Sequence, residues 1–107
     1  MGTNRKLPFG YRMEFGRITI HLEEASWVKY IFTQYNQGVS FQGITDKMRN
    51  SGMPYDGDKQ WNKNMIARIL SDQRYCGDRG YPEIIDEETF RKVAEKRKKK
   101  SASQKRT

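Results

Sequence analysis

Between Tyr11 and Ile20 apolar and polar residues alternate. Tyr11, Met13 and Phe15 are separated by Arg12 and Glu14, and Ile18 and Ile20 by Thr19. A period of two predicts half-buried strands, with Gly16 at the bend of a hairpin. The period then changes to that of a helix. In HLEEASWVKYIFTQYNQG, Val28, Ile31, Phe32 and Tyr35 recur at i, i+3, i+4 and i+7, one buried face. Glu23 and Glu24 suit the positive first turn of that helix, and Gly38 is its stop. A second helix follows, with Ser40 as N-cap, Phe41, Ile44 and Met48 as the apolar stripe and Gly52 at its end. MPYDGDK is a turn-rich connector, in which Pro54 bars further helix and Asp56-Gly57 is a turn pair.

The third helix is predicted in WNKNMIARILSDQRY. Asn62 caps it, Trp61 packs just ahead of it, and Met65, Ile66, Ile69 and Leu70 form its buried side. After Asp72 the periodicity loosens, and RYCGDRGYPEIID reads as a short hairpin or wing bracketed by Gly77 and Gly80. DEETFRKVAEKRKKK predicts a last helix, capped by Asp86, with a narrow apolar face of Phe90, Val93 and Ala94. Beyond Lys100 the composition is that of a disordered tail. The expected fold is α+β: a small helix-turn-helix-like helical core, an N-terminal hairpin, a short wing and a C-terminal helix. Two helices followed by a wing suit DNA binding. The connector between them is longer than the usual three- or four-residue turn, so a plain α+β interaction domain stands beside that reading.

Composition narrows the choice. A chain of 107 residues, 35% hydrophobic, can build one modest core and no large enclosed active site. One cysteine, Cys76, and one histidine, His21, give neither a disulfide framework nor a zinc set, so no cofactor or metal is expected. Cys76 has no evident activating neighbour for a catalytic thiol. There is no signal-like start and no membrane-length apolar run, which suits a cytoplasmic protein without membrane contact. Residues 1–6 read as an expression remnant.

The net charge of +8 is unevenly placed. Residues 1–90 carry twelve Lys/Arg and twelve Asp/Glu, whereas residues 91–107 carry nine basic residues and one acid, Glu95. The body is neutral and the tail is basic. Glu83, Asp86, Glu87 and Glu88 crowd one segment and are explained by helix capping rather than by metal binding. A mildly basic remainder with a basic tail is compatible with nucleic acid.

Opposite its buried side, the third helix presents Asn64, Ala67, Arg68 and Ser71. Asn reads adenine and Arg reads guanine in the major groove, and a small residue between them permits close approach. These four are the candidate base-reading residues; the alternative is an ordinary solvated face. Lys59, Gln60 and Lys63 flank the helix start, where phosphate contact is favoured. Ser40, Gln42 and Arg49 on the second helix could meet the backbone that such a helix crosses. Arg74 and Arg79, in and beside the wing, complete the candidate phosphate contacts.

The same stretches bear a family resemblance. LPFGYR, then HLEEASWVKYIFTQYNQGVSFQGITDKMRNSGMP, then W....IARIL.D..Y.G, then PEIIDEETFRKV resemble, in order, the recombinase domain of large serine recombinases, found in phage integrases and transposon-encoded resolvase-like enzymes. The resemblance runs from about Leu7 to about Val93. It implies a sequence-specific double-stranded DNA-binding domain, residues 7–95, that recognises part of an attachment site or transposon end. It also implies a basic flexible tail at 96–107, and a catalytic serine domain elsewhere in the parent enzyme. The segment holding Arg5, Lys6 and Arg12 is similar to a linker that tracks the minor groove. The fragment is expected to be a monomer whose partners are DNA and the parent's other domains. Two departures stand out: His21-Leu22 replaces the usual acidic residue and proline, and the stretch from Tyr75 to Pro82 is short. A protein-interaction or RNA-binding module with a nonspecific basic tail is the competing expectation.

Overall fold

The computed structural model describes residues 7–57 and 59–105, with side chains through Lys99. Strands β1 (Tyr11–Glu14) and β2 (Arg17–Ile20) pair antiparallel, with Tyr11 opposite Ile20 and Met13 opposite Ile18. Phe15 and Gly16 form the bend with φ of 51° and 75°. Two positive φ values are what a primed two-residue turn demands, because its twist matches that of the strands.

Helix α1 (Leu22–Asn36) is capped by His21, whose Nδ1 accepts from the Glu24 amide at 3.2 Å. Its buried face contains Val28, Ile31, Phe32 and Tyr35, as the spacing predicts. Glu24 is also buried, and its carboxylate accepts the Gly10 amide at 2.8 Å. Helix α2 (Phe41–Ser51) begins on the Ser40 hydroxyl and ends at Gly52, φ 82°. Helix α3 (Lys63–Ser71) begins where the Asn62 side chain accepts the Met65 amide at 2.9 Å. Helix α4 (Glu87–Lys105) starts after Asp86, whose carboxylate accepts from the Thr89 amide and hydroxyl. Those bonds hold the Asp86 carboxyl below the usual carboxylate range.

The irregular segments supply much of the core. Phe9, Trp61, Tyr75, Ile84 and Ile85 are all buried. Trp61 meets Phe9 and Tyr55 edge-on, with ring centroids 5.0 and 5.1 Å apart. Of the alternating Tyr11, Met13 and Phe15, Tyr11 alone is core, stacking on Tyr75, whereas Met13 and Phe15 are exposed because, among the described residues, nothing packs on that end of the hairpin. The Tyr11 hydroxyl lies 2.7 Å from the Pro82 carbonyl, and burial pushes its pKa well up.

Two expectations are corrected. There is no β wing: residues 73–80 form two 3-10 turns, Gln73–Cys76 and Asp78–Gly80. Gly77, Arg79 and Gly80 all have positive φ, which no strand sustains. The Ile84 and Ile85 amides both converge on the Tyr75 carbonyl, at 2.7 and 2.9 Å, and both side chains are buried. A strand would turn alternate residues to opposite faces and spread those bonds along a ladder. Helix α4 runs on through the basic segment to Lys105, and Arg97 lies over the Phe41 ring at 5.7 Å. Ala94 is exposed, leaving Phe90 and Val93 as the inward residues of α4.

Candidate nucleic-acid interface

Helix α3 divides sharply by face. Ile66 and Leu70 are 0% exposed and Ile69 4%, whereas Asn64, Arg68 and Ser71 are exposed and Ala67 half-buried. The Ser71 hydroxyl donates back to the Ala67 carbonyl at 2.9 Å, so only its lone pairs face outward.

What sets the start of α3 is the connector, and the connector is clamped at both ends. The Trp61 indole N–H donates to the Met53 carbonyl at 2.8 Å, and Arg49 Nε donates to the Trp61 carbonyl at 2.7 Å. These bonds tie Met53 and Trp61, near the two ends of the longer link, to each other and to α2. Arg49 therefore has a structural partner through its Nε. At the other end of α3, Arg74 is held by Asp72 through Nε at 2.9 Å and a terminal nitrogen at 2.8 Å. Its guanidinium lies 5.3 Å from the Tyr81 ring centroid. The Asp72 hydrogen bond raises the Arg74 pKa further above its already high ordinary value, against the effect of burial.

An open groove of about 530 Å³ runs beside α3. Arg68, Ser71, Lys59 and Arg74 line it together with Leu7, Pro8 and Tyr55. Met65 and Asp72 also border it. Sequence reading missed these lining residues, placing Met65 in the core. The signal available for Met65 was its position at the edge of the apolar stripe, three residues before Arg68. A second hollow, about 230 Å³, joins Arg49, Gln60 and Lys59 at the end of α2, so Lys59 borders both.

The other candidates lie apart from α3. Ser40 and Gln42 sit at the start of α2, where Ser40 caps the Gly43 amide and Gln42 donates to Asp46 at 2.9 Å. Arg79 is exposed with φ 59°, its Nε 3.8 Å from Asp78. Arg12 is on the hairpin, 3.5 Å from Glu14. Arg5 and Lys6 lie outside the described residues. Burial, and then the Glu87 carboxylate, push the Cys76 thiol up, away from the reactive thiolate. Among the described residues no cluster of His, Cys, Asp or Glu could hold a metal ion, and no helix is long and apolar enough to cross a membrane.

Two solved structures share this architecture. One is a crystal structure of an LSR–DNA complex, with a TM-score of 0.68 at 23% identity, covering 87% of this chain and 32% of that one. The other comes from work on the sequence requirements of the Listeria innocua prophage attP site, with a TM-score of 0.67 at 23% identity, covering 87% of this chain and 42% of that one. At this identity the likeness establishes the fold, and the chain spans well under half of either solved chain. No curated protein matches it. The family model named Recombinase matches residues 22–100, from the first residue of α1 through most of α4. With well over half of its length matched, the chain belongs to the recombinase family.

Proposed function

We propose that this chain binds double-stranded DNA as the recognition domain of a large serine recombinase, taking one half of an attachment site or a transposon end. The observation that carries this reading is α3, which buries Ile66, Ile69 and Leu70 on one side and on the other exposes Asn64, Arg68 and Ser71 in one row with half-buried Ala67 between them. An α-helix with its side chains is about 10–12 Å across, which fits a major groove about 12 Å wide. Asn64 and Arg68 address base edges, Ala67 permits the approach, and Ser71 accepts. Lys59, Gln60 and Lys63 hold phosphates, and Ser40, Gln42 and Arg79 are outlying backbone contacts. Arg49 and Arg74 are assigned to positioning α3. Arg12, with Arg5 and Lys6, belongs to the segment leading onto the DNA. Strand cleavage belongs to another domain of the parent enzyme, and this domain supplies the address.

Selection on randomised duplex DNA with the full chain is expected to enrich a motif of half-site length. Arg68→Ala should then cost about 1–3 kcal/mol and relax preference at one base pair. Lys63→Ala should weaken all sequences alike and lower the salt slope by about one. An unchanged preferred sequence in Arg68→Ala removes α3 as the reader. Binding that vanishes when residues 100–107 are deleted, with no motif in the parent chain, points instead to a tail-driven nonspecific module. That truncation spares Arg97 and its contact with Phe41.

A further inference from the structure

Met65 differs from the rest of the apolar stripe of α3. Ile66, Ile69 and Leu70 are sealed in the core, but Met65 is half-buried and borders the groove alongside Arg68. Positions three apart share a helical face, so Met65 and Arg68 lie on one side of α3, and both line the groove that Leu7 and Pro8 also line. The groove thus has a mixed character: cations for acceptors or phosphate, and a small apolar stretch next to them. Gap-filling in the core accounts for the buried part of Met65. It does not account for the part in the groove.

We propose that Met65, backed by Leu7 and Pro8, forms an apolar notch for the 5-methyl group of a thymine beside the base that Arg68 reads, making Met65 a specificity-determining residue. This rests on the DNA-binding reading above. Chemistry selects the occupant. In the major groove guanine offers two acceptors, cytosine a donor, and adenine one of each, whereas thymine adds a methyl group. A proline ring satisfies no donor or acceptor and a thioether is only a weak acceptor, so placing any other base edge there leaves a desolvated polar group poorly paired. The thymine methyl is the one major-groove feature that gains from the contact.

The test uses the full chain on its selected duplex, replacing each thymine in turn by deoxyuridine, which removes only the methyl group. At one position binding should weaken about fourfold, the worth of one buried methyl group. In Met65→Ala that penalty should shrink to nothing, the signature of two coupled groups. Met65→Leu should keep it, and its circular dichroism should match the parent's. A selected site with no methyl-sensitive thymine, or a penalty that survives intact in Met65→Ala, overturns the notch while leaving DNA recognition standing. Failure to select any site overturns both.

Discussion

Replacing Arg49 by alanine tests how the long connector is held. In the folded chain Arg49 Nε donates to the Trp61 carbonyl at 2.7 Å, one residue before the cap that starts α3. A hydrogen bond from a charged donor is worth about 1.5–3 kcal/mol when protected. Arg49 is exposed, so solvent competition reduces the expectation to about 1 kcal/mol. For a domain of this size that lowers the melting temperature by about 4–8 °C. Arg49→Lys, with a point charge on a more flexible stem, should recover part of the loss. Salt titration of DNA binding then separates positioning from phosphate contact. If Arg49 positions α3, the alanine variant binds more weakly but log K falls with log salt at the parent's slope. If it neutralises a phosphate, the slope falls by about 0.9. An altered slope with unchanged stability would refute the clamp.

Two stability experiments probe the segments that frame this site. Gly10 has φ +108°, and a Cβ there would lie 3.1 Å from both Ile84 Cδ1 and Val28 Cγ2. Gly10→Ala should therefore lose about 2 kcal/mol in urea unfolding from backbone strain and crowding together, and a loss no larger than that of an ordinary surface change would mean the segment shifts freely. Phe15 is 98% exposed with φ 51°, so its ring gains no packing while its backbone bears the left-handed cost. Phe15→Asn should raise stability by up to about 1 kcal/mol, since Asn-Gly is the preferred pair for such a turn. A drop in melting temperature would show that the ring supports the hairpin after all.

The features legible in the sequence are those decided within a few residues. Ser40, Asn62 and Asp86 cap helices because a short polar side chain can reach an amide two or three positions on, and Gly52 ends one because αL backbone is cheap only without a Cβ. The buried stripe of α1 follows from spacing alone. What could not be read depends on partners far along the chain. Trp61 is oriented by Phe9, and Ile84 and Ile85 fold back onto Tyr75, so two apolar residues that looked like the end of a strand became a plug. Met65 was misplaced because periodicity identifies a face but not the edge where a groove opens.

The resemblance motif itself is made largely of scaffold. Phe9, Gly10 and Tyr11, Trp61, Ile66, Ile69 and Leu70, Tyr75, Ile84 and Ile85 are all buried. In W....IARIL.D..Y.G the open positions include Asn64, Met65 and Ser71, all beside the exposed row of α3. Ala67 and Arg68, lettered in the same motif, lie on the outward side of α3, so the motif records the packing together with part of the reading face. Recognition can then change at those open positions without disturbing the core, because Asn64 and Ser71 are exposed and Met65 only half-buried. Exchanging all three for the residues of another recombinase should accordingly move the preferred sequence while leaving urea stability nearly unchanged. If stability collapsed along with recognition, the division between scaffold and reading face would be wrong.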